Sequence, residues 1–180
     1  PIYLMGDPGH TASQPRSEYL KKTIEDAGIK LEVLAEDTGM WVTANAKEKM
    51  DAWVSKHGDD IECAASGNDA MALGALASIE AAGFNSEGEE SSKYIPIYGI
   101  DALPEILSKI KSGEVTGSVL QDAKTQGKTI VKMAENLTSG KDAMDGIEGL
   151  EMEEDAKAVR VPYKAVTADN LDEAEATYAE

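Results

Sequence analysis

One cysteine, Cys63, in 180 residues leaves no internal disulfide to be made. It falls inside an expected buried strand, where a thiol packs as a small hydrophobe. Basic residues are scarce: 17 Lys and Arg against 34 Asp and Glu, for a formal net charge of −17. A surface of that sign repels the phosphates of nucleic acid and of anionic membranes, so neither is an expected partner. No apolar run comes near the roughly 18 residues that a membrane-spanning helix needs. The recurring signatures of catalysis are missing as well. There is no G-x-S-x-G elbow, no G-x-G-x-x-G turn and no P-loop lysine. The two histidines, His10 and His57, are isolated from each other and from any nucleophile.

What is present is a repeated unit. Ile61–Ser66 reads as a short buried strand, Gly67-Asn68-Asp69 as a turn, and Ala72, Ala75, Leu76, Ile79 and Ala82 recur at helical spacing up to the stop at Gly83. Asp69 is expected to cap that helix with its carboxylate. The same alternation runs along the chain. Strands are expected at Ile2–Met5, Ile29–Ala35, Tyr94–Ile100, Val115–Leu120 and Val159–Tyr163. Helices are expected over about 15–27, 43–56, 104–111, 123–138 and 171–178, with residues 140–155 acidic and irregular. Alternating strands and helices imply an α/β fold, a parallel sheet with helices on both faces.

In such a sheet the right-handed crossovers place every strand C-terminus on one edge, and ligands bind outside that edge. The turns at that edge carry His10 and Arg16, Trp41, Asn68 and Asp69, Asp101, and Gln121 and Asp122. Several of these have ordinary structural readings too. Asp69 and Asp101 stand where helix caps stand, Asn68 suits a left-handed turn, and Trp53 belongs to an apolar helix face. Gly39 before Trp41 and a helix start after it favour an exposed turn for the indole. Together, an indole, an imidazole, a guanidinium, amides and carboxylates suit a small polyhydroxylated ligand. The C–H face of a sugar ring can lie on the tryptophan while its hydroxyls are shared among the polar groups.

Those turns resemble the galactose/glucose-binding proteins that feed bacterial ABC sugar importers. The matching runs are GDPGH with Arg16 six residues after its histidine, DTGMW followed by TANAKEKMDAW, NDAMALGA, YGIDALPE, GSVLQDA and VRVPY. The resemblance implies one lobe of a type I periplasmic-binding-protein fold, closing over a monosaccharide and delivering it to permease subunits. It implies an extracytoplasmic binding protein, free or lipid-tethered, not an enzyme. It assigns ligand contacts to His10, Arg16, Trp41, Asn68, Asp101 and Gln121. Two positions depart from the family pattern, which has aspartate where this chain has Ala12 and asparagine where it has Gln121.

No cofactor is required by this resemblance, although the family carries a calcium loop whose last carboxylate matches Glu62. It further implies that the chain is a fragment: residues 1–121 and 162–180 build the sugar-binding lobe, and 122–161 belong to a second lobe. The opening Pro1–Gly6, a strand already under way, agrees with that expectation. The apolar face of the helix at 123–138 would then lack its native neighbour, which predicts packing against another copy of the chain or displacement. Two rival readings share the sequence features: the sugar-effector domain of a lactose-repressor-like regulator, and a carbohydrate-active enzyme.

Overall fold

The computed structural model describes residues 1–179. Its centre is a parallel sheet of β1 (Ile2–Met5), β2 (Ala35–Thr38), β3 (Ala64–Ser66) and β4 (Ile97–Tyr98) in the order β2-β1-β3-β4. Parallel bridges from Tyr98 to Gly117 and from Asp101 to Leu120 continue this sheet into β5 (Ser118–Leu120). The strands are joined by α1 (Ser13–Asp26), α2 (Thr43–His57), α3 (Asp69–Ala81) and α4 (Pro104–Lys111). The α/β alternation expected from hydrophobic periodicity is therefore the observed architecture.

Side chains of β1 alternate between the two faces, as strand geometry requires. Ile2 and Leu4 join the main core with Met50, Met71, Ala75 and Ile79 from α2 and α3. Tyr3 points the other way, toward Leu20 and Ile24 of α1, across a small apolar cavity of about 120 Å³. Burial pushes its phenol up to about 12. The two helices on the main face touch almost backbone to backbone. A Cβ at Gly74 of α3 would meet the Thr43 carbonyl and the Lys47 amide of α2.

Several expectations are corrected. The strand expected at Ile29–Ala35 starts only at Ala35, because the register against β1 begins there, Ile2 opposite Ala35. The alternation of Leu31 and Val33 is real, but it serves packing against α1, where both line the apolar cavity. Ala82, expected to face inward, is exposed beyond the end of α3. The strand expected at Val159–Tyr163 is two separate pieces. Ala158–Val159 (β7) pairs antiparallel with Met152–Glu153 (β6), inside the stretch expected to be irregular, and Lys164–Val166 (β8) pairs antiparallel with β5. That last pairing adds an antiparallel strand to an otherwise parallel sheet.

The chain between β5 and β8 leaves the sheet. It forms α5 (Ala123–Thr138), on which Ile130, Val131 and Leu137 are about 60–70 % exposed. A terminal α6 (Leu171–Tyr178) returns to the core through Leu171 and Ala174, beside Ile106, Leu107 and Ile110 of α4. No helix among the described residues is long and apolar enough to cross a membrane.

Candidate functional site

All six residues proposed as ligand contacts line one open depression of about 310 Å³ beyond the C-terminal ends of the strands: His10, Arg16, Trp41, Asn68, Asp101 and Gln121. Ala12 and Tyr163 complete its wall. Each residue arrives on a different turn or helix start, so their meeting is a product of the sheet and not of local sequence.

Arg16, in the first turn and a half of α1, is the hub. Its Nη1 donates to the Gly67 carbonyl at 2.7 Å. Its Nη2 donates to Gln121 Oε1 at 3.2 Å and to the Tyr163 hydroxyl at 3.3 Å. The same Nη2 stands 3.8 Å from a carboxylate oxygen of Asp101. A planar fork with several donors can make these contacts at once, which an ammonium cannot. The guanidinium carbon also lies 5.6 Å from the Trp41 ring centre and 5.9 Å from that of Tyr163. Burial holds the Asp101 carboxyl above its ordinary range, and the Arg16 charge partly opposes this.

The indole is held from below by glycine. The volume that a Cβ at Gly6 would take is filled by the Trp41 ring, and Gly67 lies against the same ring. His10 meets the indole edge-on, with ring centres 5.4 Å apart, while its Nδ1 accepts the Ala12 N–H. The proton of a neutral His10 is then on Nε2. Trp41 was expected on an exposed turn. It is half-buried and packs against the main core as well as facing the depression.

Two turns of the site have left-handed backbone at non-glycine residues. Met40 and Trp41 have φ of 55° and 64°, and Asp101 and Ala102 have φ of 127° and 55°. Such residues cost on the order of 1–3 kcal/mol each and persist only where surrounding contacts hold them.

The two acidic residues read as caps behave otherwise. The α3 cap is Asn68, whose Oδ1 accepts the Met71 N–H at 3.0 Å. Asp69, expected in that role, is fully buried and accepts from Leu103 N–H and from the Ser118 hydroxyl instead. Desolvation pushes its carboxyl up to about 6. Asp101 caps nothing, since α4 starts from Leu103 without a side-chain cap. Asp122 lies outside the depression and caps α5, accepting from the backbone and hydroxyl of Thr125. Tyr163 was not among the expected contacts. The signal for it was its place in the VRVPY run, where the chain returns toward the sheet.

Glu62, the carboxylate that the resemblance assigns to calcium, is exposed just before β3. Among the described residues no three His, Cys, Asp or Glu side chains gather at one point. Calcium takes six to eight oxygen ligands, so these residues alone do not fit a bound calcium ion.

The chain spans about half the length of the curated relatives it matches. A galactose/methyl-galactoside-binding periplasmic protein of Haemophilus influenzae is 44% identical over 171 residues, covering 94% of this chain and 48% of that protein. A putative rhizopine-binding protein of Rhizobium meliloti is 29% identical, covering 96% of this chain and 50% of the relative. Among solved structures, an ABC-transporter solute-binding protein of Bacillus halodurans with bound myo-inositol superposes with a TM-score of 0.75 at 34% identity, covering 98% of this chain and 54% of that one. The family model described as periplasmic binding protein domain matches residues 2–142. The chain belongs to the periplasmic binding protein family.

Proposed function

We propose that this chain is the sugar-binding lobe of an extracytoplasmic solute-binding protein that takes up a monosaccharide of the galactose or glucose type for an ABC importer. The observation that carries the proposal is the convergence of His10, Arg16, Trp41, Asn68, Asp101 and Gln121 on one depression. The 44% identical relative is named for galactose and methyl-galactoside binding, which points to the ligand class.

Trp41 offers a flat apolar face to the C–H side of a sugar ring. Asp101 accepts from ring hydroxyls, and Arg16 donates from a guanidinium that Gly67 and Gln121 keep in place. Hydrogen bonds to charged groups contribute roughly 1.5–3 kcal/mol each, so a few of them with the apolar burial reach about −8 kcal/mol, micromolar binding. Ala12 and Gln121, the two departures from the family pattern, sit on the wall of the depression and would tune which epimer fits.

In this reading residues 122–161 help build a second lobe and the chain returns at 162–180. The departure of α5 from the sheet, the exposure of its Ile130, Val131 and Leu137, and the return through β8 support it. The lobes would close over the sugar by hinge motion, and the closed form would dock on permease subunits.

The test is a thermal-shift panel on the complete protein with glucose, galactose, ribose, arabinose and xylose, each with and without calcium. A sugar at 100 times its dissociation constant stabilises by about 2.7 kcal/mol. A shift with galactose or glucose is the expected result, and a calcium effect would bring Glu62 into a site completed by residues outside this chain. A folded two-lobe protein that responds to none of the sugars would overturn the ligand class.

A further inference from the structure

The buried carboxylate of Asp69 touches no part of the depression, yet the turn that presents Asp101 to the depression leans on it from several sides. Its backbone N–H donates to the Ile100 carbonyl at 2.8 Å. Its Oδ2 accepts the Leu103 N–H at 2.8 Å. Its Oδ1 accepts the Ser118 hydroxyl at 2.6 Å, and the Ser118 oxygen in turn accepts the Ala102 N–H at 3.2 Å. Gly99 completes the fit, because a Cβ there would collide with Asp69 Oδ1. Residues 99–103 are thus held by one residue, at Ile100 through its backbone amide and at Ala102 and Leu103 through its carboxylate, directly or by way of one hydroxyl.

The grip falls where the backbone is strained, at Asp101 and Ala102 with φ of 127° and 55°. Such a pair persists only where surrounding contacts hold it, and the buried hydrogen bonds to Asp69 and Ser118 are such contacts. Donor and acceptor bookkeeping explains why the residue is an aspartate. Ser118 Oγ already accepts from Ala102, so its proton must go to an acceptor, and Leu103 N–H needs a second one. Two oxygens with no N–H of their own satisfy both. An asparagine would turn its NH₂ toward one of the two donors.

We propose that Asp69 is a positioning residue for the ligand, acting through Ser118 and the 99–103 turn to aim the Asp101 carboxylate into the depression. This rests on the reading that Asp101 meets the sugar.

The test uses the complete protein with galactose and glucose as probes, in wild type, Asp69→Asn, Ser118→Ala, Asp101→Asn and the double variants Asp69→Asn/Asp101→Asn and Ser118→Ala/Asp101→Asn. Affinity is read by calorimetry. Amide hydrogen exchange at Ala102 and Leu103 is read without sugar. We expect Asp69→Asn to weaken binding by about tenfold when Asp101 is present and by less than about twofold when it is Asn, with faster exchange at both amides. Ser118→Ala should do the same, and it carries the test if Asp69→Asn does not fold. An unchanged affinity, or an equal loss in both Asp101 backgrounds, would overturn the proposal, because a purely structural role would not distinguish them. If wild type binds neither sugar, the function reading fails by itself. Exchange at Ala102 and Leu103 then still decides the anchoring: faster exchange in Asp69→Asn upholds it, and unchanged exchange removes it.

Discussion

The indole of Trp41 occupies the space that a Cβ at Gly6 would need. Gly6 follows the first strand and Trp41 follows the second, and β1 and β2 are neighbours with Met5 opposite Thr38. The sheet register therefore sets the ring on the glycine. Gly6→Ala should push the ring off its floor, destabilise the protein by about 1–3 kcal/mol and weaken sugar binding. Gly9→Ala is the control, since a Cβ there meets only the flexible Asp7 carboxylate at 3.4 Å. Denaturant titration and calorimetry on both variants check this. Equal effects at the two glycines would refute the floor.

Arg16→Lys retains the charge and removes the fork. A single ammonium cannot reach the Gly67 carbonyl, Gln121 and Tyr163 together, as the guanidinium does. The expected result is a loss of sugar affinity by about tenfold or more, with stability lowered by about 1–3 kcal/mol, because the Arg16 side chain is only 14% exposed and its acceptors would be left without donors. If the lysine variant binds sugar as well as wild type, charge alone is what the site requires of Arg16.

Asp69 predicts a pH dependence with a defined sign. Unfolded, its carboxyl titrates near 3.8, and burial pushes it up to about 6 in the fold. Between those values the native state holds the proton more tightly, so this group's contribution is present in full below about pH 4 and lost as pH rises to about 6. The difference amounts to at most roughly 3 kcal/mol. Asp69→Asn cannot titrate. The stability gap between wild type and variant should therefore narrow from pH 4 to pH 7. Urea midpoints at the two pH values measure it, and a constant gap would show that Asp69 keeps an ordinary affinity for protons in the fold.

The exposed apolar row on α5, Ile130, Val131 and Leu137, predicts self-association of the 180-residue chain. Sedimentation should show a concentration-dependent dimer, with Ile130→Glu shifting it to monomer. In the proposed two-lobe protein a second lobe would cover the row, and that protein should be monomeric. A strictly monomeric 180-residue chain with α5 ordered would contradict this.

The local part of the fold was legible in the sequence because helix and strand periods are set by neighbours a few residues apart. The helix spanning Thr43–His57 begins and ends within a residue of expectation, and Ala72, Ala75, Leu76 and Ile79 lie in the core as their spacing requires. The rule that loops at strand C-termini share one edge named eight residues, of which six, those the resemblance also picks out, line one depression, while Asp69 and Asp122 lie outside it. Strand ends were less legible. The stretch at 29–34 has strand alternation, but a strand is defined by a partner, and β1 supplies one only from Ala35 onward.

By itself, the sequence determined the α/β alternation, the acidic surface, the chemistry available at each turn and the family resemblance, since all of these reside in residue types and short spacings. Tertiary structure alone decided the rest. Asn68 and Asp69 are both competent caps, and what separates them is that Ser118 and Leu103, far along the chain, offer donors to only one of them. Tyr163 joins the depression because β8 pairs antiparallel with β5, bringing residues more than forty positions apart side by side. The left-handed pairs at Met40–Trp41 and Asp101–Ala102 follow from no local preference for those residues. They persist because long-range contacts hold them, and such contacts exist only once the chain has folded.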